Sequence, residues 1–150
     1  MGMLMDGQWS ATDDKVVVAG AYRREQSTFD NAIADEVIHR MAGHSRRYIL
    51  VASMSCPWSH RVLLVRAIKG LEDRIPMHVA GGNRIEGYGM HPAGPLRLDG
   101  ATPLHVHQLY TESHPGFTGR VTVPLLWDDS NSLIVSNDSA LIMRALDRID

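Results

Sequence analysis

Between Tyr48 and Gly70 the chain changes its hydrophobic period within a few residues. Tyr48-Ile49-Leu50-Val51-Ala52-Ser53 is a short, β-prone apolar run, after which Val62, Leu63, Ala67 and Ile68 recur at the three-to-four spacing of a helix. The junction is Met54-Ser55-Cys56-Pro57, and Pro57 stands where a first helical residue loses nothing by lacking an N–H. The stretch predicts a strand over Tyr48–Ser53 and a helix over Pro57–Lys69, with Gly70 as its stop. Cys56 falls at the helix start.

That position matters because the first N–H groups of a helix have no internal acceptors and carry the positive end of its dipole. Cysteines so placed can titrate at roughly 3.5 to 7.5, against about 8.5 for a free thiol. A buried structural cysteine is the bland alternative, but it has no need of a helix start with His60 and Arg61 close by. Cys56 is also the only cysteine of the chain, so no internal disulfide can form. This suits a reducing compartment, and the protein is expected to be cytoplasmic. Any mixed disulfide at Cys56 must be resolved by a thiol from outside, for which a small thiol such as glutathione is the economical choice.

With 150 residues the chain has room for one core and not for two ordinary domains. Its 15 basic and 17 acidic residues leave a net charge of −2, so nucleic acid is not an expected partner. No run approaches the ~20 apolar residues that span a bilayer, and no membrane association is expected. Ahead of the central stretch, Val16–Val18 is briefly β-prone and Ile33, Val37, Ile38 and Met41 recur at helical spacing. Arg23, Arg24, Arg46 and Arg47 are either solvated surface or a lure for an anion. Beyond it, Pro76–Val79 predicts a second strand parallel to the first. Residues 81–102, rich in glycine and proline, read as a long loop covering a site. A helix over Pro103–Glu112 is expected, capped by Thr102. On such a helix His105 and His107, two apart, would lie on different faces, so no metal site is expected. Leu125–Trp127 and Leu133–Val135 read as paired strands joined by the turn-rich 128–132. Ser136 or Asn137 then caps a last helix whose buried stripe is Leu141, Ile142, Ala145, Leu146 and Ile149.

Three passages together resemble one family: Ser55-Cys56-Pro57-Trp58-Ser59-His60-Arg61, then Gly119-Arg120-Val121-Thr122-Val123-Pro124-Leu125-Leu126-Trp127-Asp128, then Ile134-Val135-Ser136-Asn137-Asp138-Ser139. These resemble the cysteine-type glutathione transferases, and within them the glutathionyl-hydroquinone reductases, or xi class. The segment Gly20–Phe29 is similar to that class's N-terminal extension. The resemblance implies a thioredoxin-like α/β domain with a four-stranded mixed sheet flanked by helices. Residues 1–46 would be an arm packed on that domain, and 47–150 the glutathione-binding domain itself. The all-helical domain that follows in the family is expected to be absent.

The resemblance also implies roles. Cys56 is the catalytic nucleophile, with Pro57, Trp58 and Arg61 supporting the helix start. A proline entering a central strand conflicts with the sheet ladder, and the family resolves this with a cis Val123–Pro124 bond facing the cysteine. Val121, Thr122, Val123 and Pro124 would then dock the backbone of glutathione, and Arg120 its glycyl carboxylate. Asp138 and Ser139 either only cap the last helix or also hold the γ-glutamyl end. Tyr88 stands where the family has a glutathione-contacting tryptophan, and is either such a contact or an ordinary loop aromatic. The implied co-substrate is glutathione and the implied substrates are glutathionylated quinols. The competing expectation is a non-catalytic glutathione-binding or interaction module, truncated or half of a split transferase. Apolar faces on the second and last helices of the domain would favour a homodimer or a helical partner subunit.

Overall fold

The structure, a computed structural model, describes residues 2–11, 17–18, 21–22 and 27–150. In chain order it contains β1 (Met3–Met5), β2 (Gln8–Ser10), β3 (Val17–Val18), β4 (Ala21–Tyr22), α1 (Asp35–Ala42), β5 (Tyr48–Ala52), α2 (Pro57–Ile68), β6 (Met77–Gly81), β7 (Gly89–Met90), α3 (His107–Ser113), β8 (Gly119–Arg120), β9 (Leu125–Asp128), β10 (Leu133–Ser136) and α4 (Ser139–Asp147). Arg23 and Arg24 lie outside the described residues.

All five residues of β5 are buried, as a strand covered on both faces must be. It lies in the middle of a sheet of order β10-β9-β5-β6-β7. β6 runs parallel to it, with Val51 beside His78, while β9 runs antiparallel, with Val51 beside Leu125. Because side chains alternate along a strand, Tyr48, Leu50 and Ala52 enter one core with Val62 of α2, Ile142 and Leu146 of α4 and Met41 of α1. Ile49 and Val51 enter the other, with Leu109 and Tyr110 of α3, Trp127 of β9 and Leu4 of β1. This is the thioredoxin-like arrangement. Four of its strands are those expected, and β7 adds a short fifth at the edge.

The N-terminal residues join a second sheet, of order β2-β1-β8. The β1–β2 turn is Asp6-Gly7, both at positive φ (48° and 78°), the conformation that suits a two-residue hairpin. Gly7 also lies against the Pro115 carbonyl, where a Cβ would collide. β1 then pairs with β8, Met3 beside Arg120, which fastens the start of the chain to the segment leading into Pro124.

Several boundaries differ from the sequence reading, each because a side chain or another strand claims the backbone. The last helix is capped by Asp138 rather than by Ser136 or Asn137. Ser136 Oγ instead donates to the Phe29 carbonyl and accepts from the Asp138 N–H. α3 begins at His107 rather than Pro103, since Met90 N–H donates to the Leu104 carbonyl and Val106 N–H to the Tyr88 carbonyl. Thr102, expected as its cap, turns its hydroxyl to the Pro92 carbonyl. Arg47 is no anion lure: its Nε and Nη2 make 2.8 and 2.7 Å bonds to the two oxygens of Asp128. Burial alone would raise the Asp128 carboxyl, but Arg47 and the neighbouring Ser130 and Asn131 amides hold it below its usual range.

Residues 81–102 are more ordered than a bare loop because they close around a buried histidine. His78 on β6 is fully buried, with Nε2 2.8 Å from the His91 carbonyl and Nδ1 accepting from Leu96 N–H at 3.1 Å. Gly94 sits so close to the ring that no Cβ fits. With Nδ1 accepting, the ring must be neutral, and burial lowers its pKa. The folded pKa lies below the unfolded value of about 6.5, so this ring's contribution is present above that pH and lost as pH falls towards the folded value. His78→Gln is expected to lower the thermal midpoint at pH 7 and to flatten its decline between about pH 6.5 and 5, as measured by circular dichroism.

Candidate active site

Cys56 is placed by the way β5 ends. The Ser53 N–H donates to Ser59 Oγ at 3.1 Å, with Ser59 fully buried, so the first turn of α2 is tied to the strand tip. Cys56 N–H donates back to the Ser53 carbonyl at 3.1 Å, and His60 N–H to the Cys56 carbonyl at 3.0 Å. Cys56 is thus the N-cap of α2 and Pro57 its first residue, as the sequence implied. The residue is 8% exposed, and its thiol faces the Val123 carbonyl across 3.6 Å. The Val123–Pro124 bond is cis.

A cleft of about 660 Å³ opens over this cysteine. Its wall takes Cys56, Trp58 and Arg61 from α2, then Tyr88, the run Arg120-Val121-Thr122-Val123-Pro124, and Asp138 and Ser139 at the start of α4. Of the residues singled out from sequence, Pro57 is not on the wall; it starts the helix beneath it. Arg61 lies over the Trp58 ring at 5.4 Å. Asp138 performs the capping role, its Oδ1 accepting from Ala140 N–H at 2.9 Å and Leu141 N–H at 3.0 Å, while also facing the cleft.

Ser27, Thr28, Asp30, Asn137 and Ala140 complete the wall and were not singled out as ligand-contacting residues. The available signal was Ser27-Thr28-Phe29 in the N-terminal segment. Asn137 and Thr28, with Phe29 between Thr28 and Asp30, belong to a buried network centred on Tyr110. Its hydroxyl donates to the Thr122 carbonyl at 2.8 Å and accepts from Thr122 N–H and Asn137 Nδ2, both at 3.1 Å. Asn137 Oδ1 accepts from Phe29 N–H, and the Asn137 N–H donates to the Phe29 carbonyl. One phenol therefore joins α3, the strip before Pro124, the approach to α4 and the N-terminal segment. Burial raises its pKa and keeps the donor in place.

Tyr88 lines the cleft beside Cys56. Its phenol is pushed up first by burial and then by the neighbouring Cys56 sulfur, against the lowering effect of Arg84. The Arg84 guanidinium lies 4.5 Å over the Tyr88 ring and donates from Nη2 to Ser55 Oγ at 2.9 Å. Arg84 was not anticipated from sequence, where nothing distinguishes it from a solvated charge.

The expected divergence of His105 and His107 does not occur. α3 starts only at His107, so His105 lies on the preceding extended segment, and the two rings stack at 5.2 Å with 8° between their planes. Both Nε2 atoms face Glu86, His107 at 3.2 Å and His105 at 3.6 Å from the same Oε2. Burial lowers the His107 pKa, with Glu86 opposing.

A thioredoxin-like sheet that presents a cysteine at a helix start opposite a cis proline defines the class of protein. Residues 55–149 match the family described as glutathione S-transferase, N-terminal domain, and the chain belongs to that family. It is 36% identical to the glutathionyl-hydroquinone reductase PcpF of Sphingobium chlorophenolicum over 97% of this chain and 46% of that protein. The xi-class glutathione transferase of Natrialba magadii superposes with a TM-score of 0.75 at 34% identity, over 99% of this chain and 45% of that one. The glutathione-bound structure of YqjG from Escherichia coli K-12 gives 0.66 at 33%, over 99% and 46%. The chain spans about half the length of the curated relatives it matches.

Tyr110→Phe would leave the Asn137 amide and the Thr122 peptide short of partners in a buried place. The variant is expected to lose about 1–3 kcal/mol of unfolding free energy, read from urea denaturation.

Proposed function

We propose that this chain carries the reactive thiol and the glutathione site of a glutathione-dependent transferase or reductase acting on glutathionylated hydroquinones. What carries the reading is the cleft, which places the Cys56 sulfur between the cis-proline strip and the start of α4. Glutathione is a short peptide, and an extended peptide is recognised by backbone donors and acceptors beside a strand. Val123 and its neighbours Val121, Thr122 and Pro124 supply that edge. The α4 start and Ser139 would take the γ-glutamyl carboxylate, the Asp138 carboxylate its ammonium, and Arg120 the glycyl carboxylate. Relatives bearing the reductase name and a relative solved with glutathione support this assignment.

The chemistry proposed is two thiol exchanges. The Cys56 thiolate attacks the glutathionyl sulfur, the carbon–sulfur bond breaks, and its electron pair leaves on the quinol ring carbon, which takes a proton. Water in the open cleft supplies that proton on this reading. A second glutathione thiolate then attacks the Cys56–glutathione disulfide, releasing oxidised glutathione and the free Cys56 thiolate. The lone cysteine makes that external thiol obligatory within this chain.

No helix among the described residues is long and apolar enough to cross a membrane. On this reading the protein works in the reducing cytoplasm, where a lone nucleophilic thiol stays available. The expectation of exposed apolar faces shifts from the second and last helices of the domain to α2, where Trp58, Leu64 and Ile68 are 40%, 48% and 82% exposed. A second copy or a helical subunit seated there would complete the substrate wall.

Incubation with glutathionyl-menadiol should give a mass increment of one glutathione on Cys56 and release menadiol. Cys56→Ser should abolish the increment and lower turnover on the order of 10³-fold or more, with glutathione binding largely retained. Absence of any adduct on the unaltered protein would instead favour a binding module without turnover.

A further inference from the structure

We propose that Glu86, His105 and His107 form a binding site for a borderline divalent transition-metal ion of the zinc type, separate from the thiol cleft. Candidate ligand atoms of the three residues all lie within 4.8 Å of one another. Around a tetrahedral ion bound at 2.0–2.2 Å, neighbouring ligand atoms stand roughly 3.3 Å apart. The two imidazole nitrogens already stand 3.2 and 3.6 Å from one oxygen of Glu86. The third side, between the two imidazoles, lies within 4.8 Å, and the near-parallel rings must turn toward one another for their lone pairs to converge on one ion. Two neutral imidazoles and one carboxylate suit zinc, cobalt or nickel better than calcium or magnesium, which prefer oxygen donors.

The surroundings hold the donors in place. The His105 backbone is tied by its bridge to Gly89, and the Trp9 ring stacks on His107 at 5.2 Å. Trp9 in turn packs against Gly87, next to Glu86. The side chains of His107, His105 and Glu86 are 14%, 31% and 50% exposed, leaving an opening for an ion and for water as the remaining ligand. A bound ion would cross-link Glu86 to the entrance of α3. Glu86 lies on the same stretch as Arg84 and Tyr88, which rest over Ser55 and Cys56, so the ion would also pin that stretch above the cysteine.

The test is a titration of the full chain with Co²⁺, followed by visible d–d absorption and by quenching of tryptophan fluorescence, with Zn²⁺ as competitor. A Cys56→Ser background removes the thiolate as an alternative ligand. Saturable micromolar binding, displaced by Zn²⁺ and weakened at least tenfold in both Glu86→Gln and His105→Gln, supports the site. Glu86 is exposed enough that its variant should fold, which an unchanged circular dichroism spectrum would verify. Binding only at millimolar metal, or equal binding in the parent and both variants, overturns it.

Discussion

A single buried phenol holds the two halves of the cleft at a fixed separation. Tyr110 has one proton to give and two lone pairs to fill, and the structure fills all three: Thr122 carbonyl, Thr122 N–H and Asn137 amide. Thr122 lies just before the cis Val123–Pro124 bond, and Asn137 just before the cap of α4. In a low-dielectric interior such a saturated node is rigid, and an incomplete one is costly. Through Asn137 and Phe29 it also brings Ser27 and Thr28 to the wall.

The cysteine is placed by a different device. β5 ends because the Ser53 amide turns from the ladder to the Ser59 hydroxyl, and the helix begins four residues later with its cap facing the cleft. Central burial of β5 makes this rigid, since both cores press on it. The Cys56 thiol then faces the Val123 carbonyl. Strand tip, helix start and cis-proline strip are thus three independent constraints meeting at one sulfur.

The 81–102 segment adds a layer that the strand–helix scaffold alone does not supply. His78 anchors its far end from inside the protein, and Arg84 stacked on Tyr88 lays its near end over Ser55 and Cys56. An ordered covering of this length is expected of a functional segment rather than a passive connection. The Glu86, His105 and His107 cluster sits at the outer margin of the same layer.

The sequence by itself determined the strand–helix junction at Cys56, the unbroken apolar run that becomes β5, the turn-flanked β9 and β10, and the apolar stripe of α4. Each of these is a local period or a local residue preference, so a short window contains the whole signal. The motifs around Cys56, Pro124 and Ser139, through their resemblance to the xi class, likewise pointed to most of the residues that line the cleft. Tertiary structure alone decided where α3 starts, because Leu104 and Val106 lend their backbones to the segment around β7. It alone turned His105 and His107 toward one carboxylate, drew Asn137 from helix capping to the Tyr110 phenol, and brought Ser27 and Thr28 across more than a hundred residues to the site. Those outcomes rest on which partner wins a competition for a hydrogen bond, and the competitors are far apart in the chain.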